Sequence, residues 1–145
     1  MDKGRTHVIF MGICFCLLFT AYFTIANLEK IFLVSVKNEE PGYTGDGYYS
    51  QALISVFCAV SLWISPSVCN VLGSKPTMFT GALCLVLFIC SFFFTSTWVL
   101  YLASALMGVS LALLWTGQSA YLVQNSNQHT LEINLGLFFV LYQSG

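Results

Sequence analysis

The chain has 145 residues, of which 57% are hydrophobic and only 8% charged, with a net charge of −1. An average soluble domain carries roughly 25% charged residues, so a water-soluble globule is excluded. The charge balance offers no basic field for nucleic acid or an anionic lipid surface.

The first apolar run, Val8 to Leu28, follows a short basic start with Lys3 and Arg5. At 21 residues it exceeds the usual 7–15 of a signal-peptide core, so an uncleaved first transmembrane span is expected over 8–28. Its helix is expected to continue through Ile31 to Val36 beyond the bilayer, with Glu29 and Lys30 as interfacial anchors that snorkel toward water. Residues 37–47 (KNEEPGYTGDG) hold Pro41, three glycines and three acids, which is loop chemistry. Span two is expected over 48–72, with Pro66 in its last third. The turn Gly73 to Pro76 makes spans two and three antiparallel neighbours.

From Pro76 to Leu131 there are 56 residues without a charge. One bilayer crossing takes roughly 20 residues of helix, so this stretch holds two, expected over 77–94 and 98–122. The break falls at Thr95-Ser96-Thr97, with Trp98 suited to the interface. Residues 124–130 (QNSNQHT) form a polar loop, and an apolar segment over 133–145 begins a fifth span too short to cross. The fold class is therefore all-α, a polytopic membrane protein with four complete spans and the start of a fifth. Lys3, Arg5 and Lys75 against Lys30 and Lys37 place the N-terminus in the cytoplasm by the positive-inside rule, in a membrane whose organelle the sequence does not specify.

Within span four, Ser104, Gly108, Ala112, Thr116 and Ala120 recur every four residues, a small-residue groove that reads as a helix-packing surface. Trp115, Gln118, Tyr121 and Asn125 share a neighbouring face, which makes Trp115, Gln118 and Tyr121 candidate cavity-lining residues. The packing alternative is an interhelical hydrogen bond from the Gln118 amide. In span one, Thr20, Thr24 and Asn27 fall on one face. The threonines can bond back to their own helix, which leaves Asn27 needing a partner. No carboxylate, arginine or histidine falls within a span so bounded, so no proton relay is expected. His7 and His129 are read as solvated. The six cysteines lie in apolar runs and are read as packing residues. No phosphate, zinc, serine-nucleophile or calcium motif occurs, so no enzyme, cofactor or metal site is expected.

The stretch LASALMGVSLALLWTGQSAYL over 102–122, followed by Gln124-Asn125-Ser126, resembles the span-four signature of the ion-channel-regulatory branch of the major facilitator superfamily, the uncoordinated-ninety-three family. Gly42-Tyr43, Ile64-Ser-Pro-Ser-Val68 and Leu137-Phe-Phe-Val-Leu-Tyr-Gln-Ser144 extend the resemblance over essentially the whole chain. Two positions depart from the pattern: Asn70-Val-Leu-Gly-Ser-Lys75 keeps the glycine and one lysine of the superfamily loop without its aspartate and arginines, and Glu132-Ile-Asn-Leu-Gly136 replaces an Arg-Asn-Ser-Gly start to span five. The resemblance implies a twelve-span protein in two six-helix halves, with 1–145 the N-terminal part of the first half. It further implies that Asn27, Trp115 and Gln118 face a central cavity, and a role as an orphan solute transporter or as a regulator of a partner membrane protein such as a potassium channel. Transport by rocking two halves needs both, so none is expected from these residues alone, which look like a partial product. The alternative is a free-standing four-span scaffold acting by helix contacts in the lipid bilayer. The absence of a large cysteine-bearing outer loop distinguishes it from tetraspanins and claudins.

Overall fold

The computed structural model describes residues 3–144, and among these all regular secondary structure is helical. Five helices follow in order: α1 (Lys3–Glu39), α2 (Gly47–Leu72), α3 (Ser74–Ser91), α4 (Thr97–Gln124) and α5 (Leu131–Gln143). The first four are long and apolar enough to cross a membrane. At about 1.5 Å per residue, α2 and α4 measure roughly 40 Å against a hydrocarbon core of about 30 Å.

Their outward faces carry what a soluble protein would hide. Trp63, Val71 and Phe79 are 89%, 85% and 72% exposed, and Phe10, Leu17 and Leu102 project outward beside them. Apolar exposure on that scale belongs in lipid. The chain is a multi-pass integral membrane protein.

Local chemistry sets the helix ends. Asp46 precedes α2 with extended backbone, and its Oδ1 accepts the Tyr48 N–H at 2.8 Å, which satisfies a donor the helix start leaves open. At the other end, Gly73 takes φ 92°, a left-handed conformation that glycine adopts without strain, while its N–H donates to Cys69 O at 2.8 Å. One residue thus closes α2 and opens α3. The expected four-residue turn at 73–76 is shorter than anticipated, because Pro76 sits in the first turn of α3, where its missing N–H costs nothing. The Thr77 hydroxyl bonds Gly73 O at 2.7 Å and completes the junction. The third helix accordingly spans 74–91 rather than 77–94.

Beyond Leu28, α1 does continue as a helix, and reaches Glu39. Leu33 and Val36 on this extension are buried with Tyr43 of the following loop and Leu100 of α4, which gives the extra turns an apolar seat. Burial pushes the Tyr43 phenol above its ordinary pKa, with Tyr101 and Glu29 adding to the effect. Helix α2 runs unbroken through Pro66.

The core gathers around α4, which packs against α2 on one side and α3 on the other, while α1 packs mainly against α5. Met107, Leu114 and Leu122 of α4 are buried with Leu85 and Phe88 of α3, Phe15 and Phe19 of α1, and Phe138 of α5. A Cβ on Gly108 would lie 2.8 Å from Cys58 N and equally close to the Phe57 Cβ, and would also strike the Ile54 carbonyl. Gly136 has open space around it. Gly108→Leu is therefore expected to cost about 1–3 kcal/mol or more through overpacking against backbone that cannot retreat, read as a lowered unfolding midpoint in detergent. Gly136→Ala should leave that midpoint near the wild-type value.

Candidate functional site

Helix α4 presents two small-residue faces rather than one. On the first, Ser104, Gly108 and Ala112 are buried and meet α2, with the Ser104 Oγ 2.7 Å from Ser50 Oγ. Thr116 and Ala120 continue the same stripe half-buried. On the second face, Ser110 donates to the Gly81 carbonyl of α3 at 2.6 Å, and a Cβ on Gly117 would crowd Met78 and Ser74. The second face escaped the sequence reading because Gly81, Ser110 and Gly117 acquire meaning only once α3 and α4 are paired antiparallel.

Three of the candidate cavity residues occupy different surroundings. Trp115 packs against Phe15, Phe19 and Tyr142, with ring centroids 6.4, 5.7 and 5.5 Å away, in an aromatic cluster that joins α1, α4 and α5. Gln118 is buried, and its Oε1 accepts the Ser119 hydroxyl at 3.3 Å, a contact within its own helix rather than the interhelical bond of the packing alternative. The Tyr121 ring is buried, with Lys75 Nζ 5.9 Å from its centroid, at the far limit of cation–π reach.

Asn27 is exposed and lines a groove of 350 Å³ with Phe19, Thr20, Thr24, Tyr142 and Gln143. The two threonines donate to the carbonyls one turn back, at 2.6 and 2.7 Å. Asn27 and Trp115 thus approach one another only through the shared neighbours Phe19 and Tyr142. His7, read as solvated, has its Nδ1 3.4 Å from Asn125 Oδ1, while Asn125 Nδ2 caps α4 by donating to Tyr121 O at 2.9 Å.

The largest departure from expectation is Glu29. Instead of snorkelling to an interface it is 2% exposed, enclosed where α1 meets the first turn of α2. Its Oε2 accepts Gln51 Nε2 at 3.2 Å, and its Oε1 is buried without a hydrogen-bond partner. The carboxylate lies one residue past the expected span 8–28, within an α1 that runs on to Glu39. A signal was present in the sequence: Val8, Phe15, Tyr22, Glu29 and Val36 are seven apart, and all five are buried. Lys30, one position on, does point outward, with its Nζ 4.3 Å from the Tyr48 ring centroid. Among the described residues no group of three or more histidine, cysteine or acidic side chains converges as a metal site.

Residues 42–145 match the family model described as "Ion channel regulatory protein UNC-93". Over 143 residues, 98% of this chain, the sequence is 36% identical to the UNC93-like protein MFSD11 of Xenopus laevis and to its Xenopus tropicalis counterpart. Against human Protein unc-93 homolog A the identity is 30% over 156 aligned residues, 99% of this chain. The chain spans about a third of the length of these relatives, 32% in each case. No solved structure matches it.

The aromatic cluster makes a measurable claim about how α5 is seated. A double-mutant cycle on Trp115→Ala and Tyr142→Ala should return a coupling of about 0.5–1.5 kcal/mol, the usual worth of an edge-to-face pair beyond its area. A coupling indistinguishable from zero would mean that α5 does not hold this position against α4.

Proposed function

The chain belongs to the UNC-93 ion channel regulatory family, and from that premise we propose that it is a non-enzymatic, multi-pass membrane protein that regulates a partner membrane protein through helix contacts. The observation that carries this reading is the distribution of its chemistry. Small residues on α4 are used for packing inside the bundle, while α2 turns Trp63, Ile64 and Val71 outward, where lipid or a partner helix can meet them. A potassium channel is the partner class to test first. The residues described here correspond to the N-terminal part of the first six-helix half of a major facilitator fold, with the N-terminus and the Lys75 junction in the cytoplasm and loop 40–46 on the opposite side.

The second reading is an orphan solute transporter, favoured by the groove that Asn27, Thr20 and Thr24 line between α1 and α5. Rocking of two halves about a midplane site would require helices beyond these five. A free-standing scaffold is the remaining alternative. It shares the helix contacts of the first reading without a specific partner.

Two experiments test these readings. Co-expression with potassium channel subunits, followed by affinity capture in mild detergent, should recover a channel subunit and change its current. Unaltered currents together with an empty capture would remove the regulatory reading, and a solute that raises the unfolding midpoint would favour the transporter. For orientation, Thr44→Cys and Gln128→Cys, each in a background lacking the six native cysteines, should label from opposite sides of the membrane. Labelling from one side would overturn the topology.

A further inference from the structure

We propose that Glu29 is a proton-binding site, its carboxyl held in the protonated form where α1 meets α2, beside a hydroxyl pair that joins α2 to α4. The site goes beyond the reading above, since it would exist whether the protein steadies a channel or moves a solute.

The case rests on an inventory of hydrogens. Ser104 Oγ lies 2.7 Å from Leu100 O, a carbonyl that can only accept, so the single Ser104 hydroxyl hydrogen is committed there. Ser50 Oγ lies 2.7 Å from Ser104 Oγ, and with the Ser104 hydrogen already used, Ser50 must be the donor between them. Ser50 is fully buried, and its hydroxyl lies beside the Glu29 carboxyl. With its hydrogen on Ser104, it has none left to give the acid. An ionised carboxylate would have one neutral amide, Gln51 Nε2 at 3.2 Å, as its donor, and would leave Oε1 buried and bare. Burying an ion on such terms costs several kcal/mol. A protonated carboxyl brings no charge to bury, and the hydroxyl pair Ser50 and Ser104 stays intact beside it, ending on the Leu100 carbonyl.

The surrounding titratable groups do not rescue the anion. Tyr22 of α1 and Tyr43 of the following loop face Glu29, with Cys58 of α2 beyond the first and Tyr101 of α4 beyond the second. A tyrosine or cysteine is neutral or negative in every state, so none supplies a positive charge. Lys30, the adjacent cation, offsets the burial of the acid only in part, its Nζ being turned onto the Tyr48 ring. A proton can still come and go, because a cavity of 380 Å³ lined by Tyr22, Phe23, Ala26, Asn27, Lys30 and Gln51 opens next to the Gln51 amide. It is wide enough to admit water, and it brings that water against Gln51, the residue that donates to Glu29.

The test uses the unaltered chain in lipid nanodiscs and a hydrophobic carbodiimide, which reacts with protonated carboxyls, with modified positions mapped by mass spectrometry. Near neutral pH, Glu29 should be modified at least about tenfold faster than the exposed Glu39 and Glu40, since each pH unit between a carboxyl and its titration midpoint changes the protonated fraction tenfold. Modification should fall away at alkaline pH. In parallel, the infrared carbonyl band of a protonated carboxyl should be present near neutral pH, shift in heavy water and vanish in Glu29→Gln. Modification of Glu29 no faster than of Glu39 and Glu40 would overturn the proposal, as would a carbonyl band that persists unchanged in the variant. The labelling arm does not depend on that variant folding.

Discussion

Close approach of α4 to its two neighbours is the contact on which the rest of the bundle depends. In lipid, one apolar surface gains nothing by leaving hydrocarbon to meet another, so helices associate through van der Waals fit and buried polar contacts. Helix α4 meets that requirement twice. Gly108 lets it ride on the backbone of Ile54 and Cys58, and Ser50 and Ser104 join hydroxyls on the same side. About half a turn away, Gly117 fits over Met78 and Ser74 while Ser110 reaches the Gly81 carbonyl. These contacts bind α2, α3 and α4 into one unit, and the unit presents the surfaces on which α1 and α5 come to rest.

Much of this was legible in the sequence, for one physical reason: an ionised side chain is expensive in hydrocarbon, so long uncharged runs mark the helices. The α4 stripe of Ser104, Gly108 and Ala112 was equally legible, because a four-residue repeat is a property of a single helix. Helix ends were less so. Pro76 reads as a breaker in isolation, yet in the first turn of α3 it is harmless, and the positive φ of Gly73 compresses the junction into one residue. Glu29 was misplaced by the same reasoning that found the spans. A boundary drawn at the first charge assumes that charge lies outside, whereas the seven-residue spacing from Val8 to Val36 carries the buried face straight through it. Periodicity outranked charge at that position.

What spacing left open is partnership. Trp115, Gln118 and Tyr121 do lie along neighbouring faces of α4, but what each meets depends on helices distant in sequence. Trp115 meets the aromatic rings of α1 and α5, Tyr121 meets Lys75, and Gln118 turns to Ser119 of its own helix. A face can be read from spacing within one helix. The identity of whatever fills it cannot.

The pairing of α1 with α5 has a consequence for how the protein is made. Chains emerge from the ribosome N-terminus first, at about 5–20 residues per second, and the helix against which α1 mainly packs is the last of the five. Phe15 and Phe19 therefore wait in the bilayer, or against the insertion machinery, until Phe138 and Tyr142 have been synthesised. Helices α2 to α4 can settle on one another as they appear, and the earliest segment to enter the membrane is among the last to find its place.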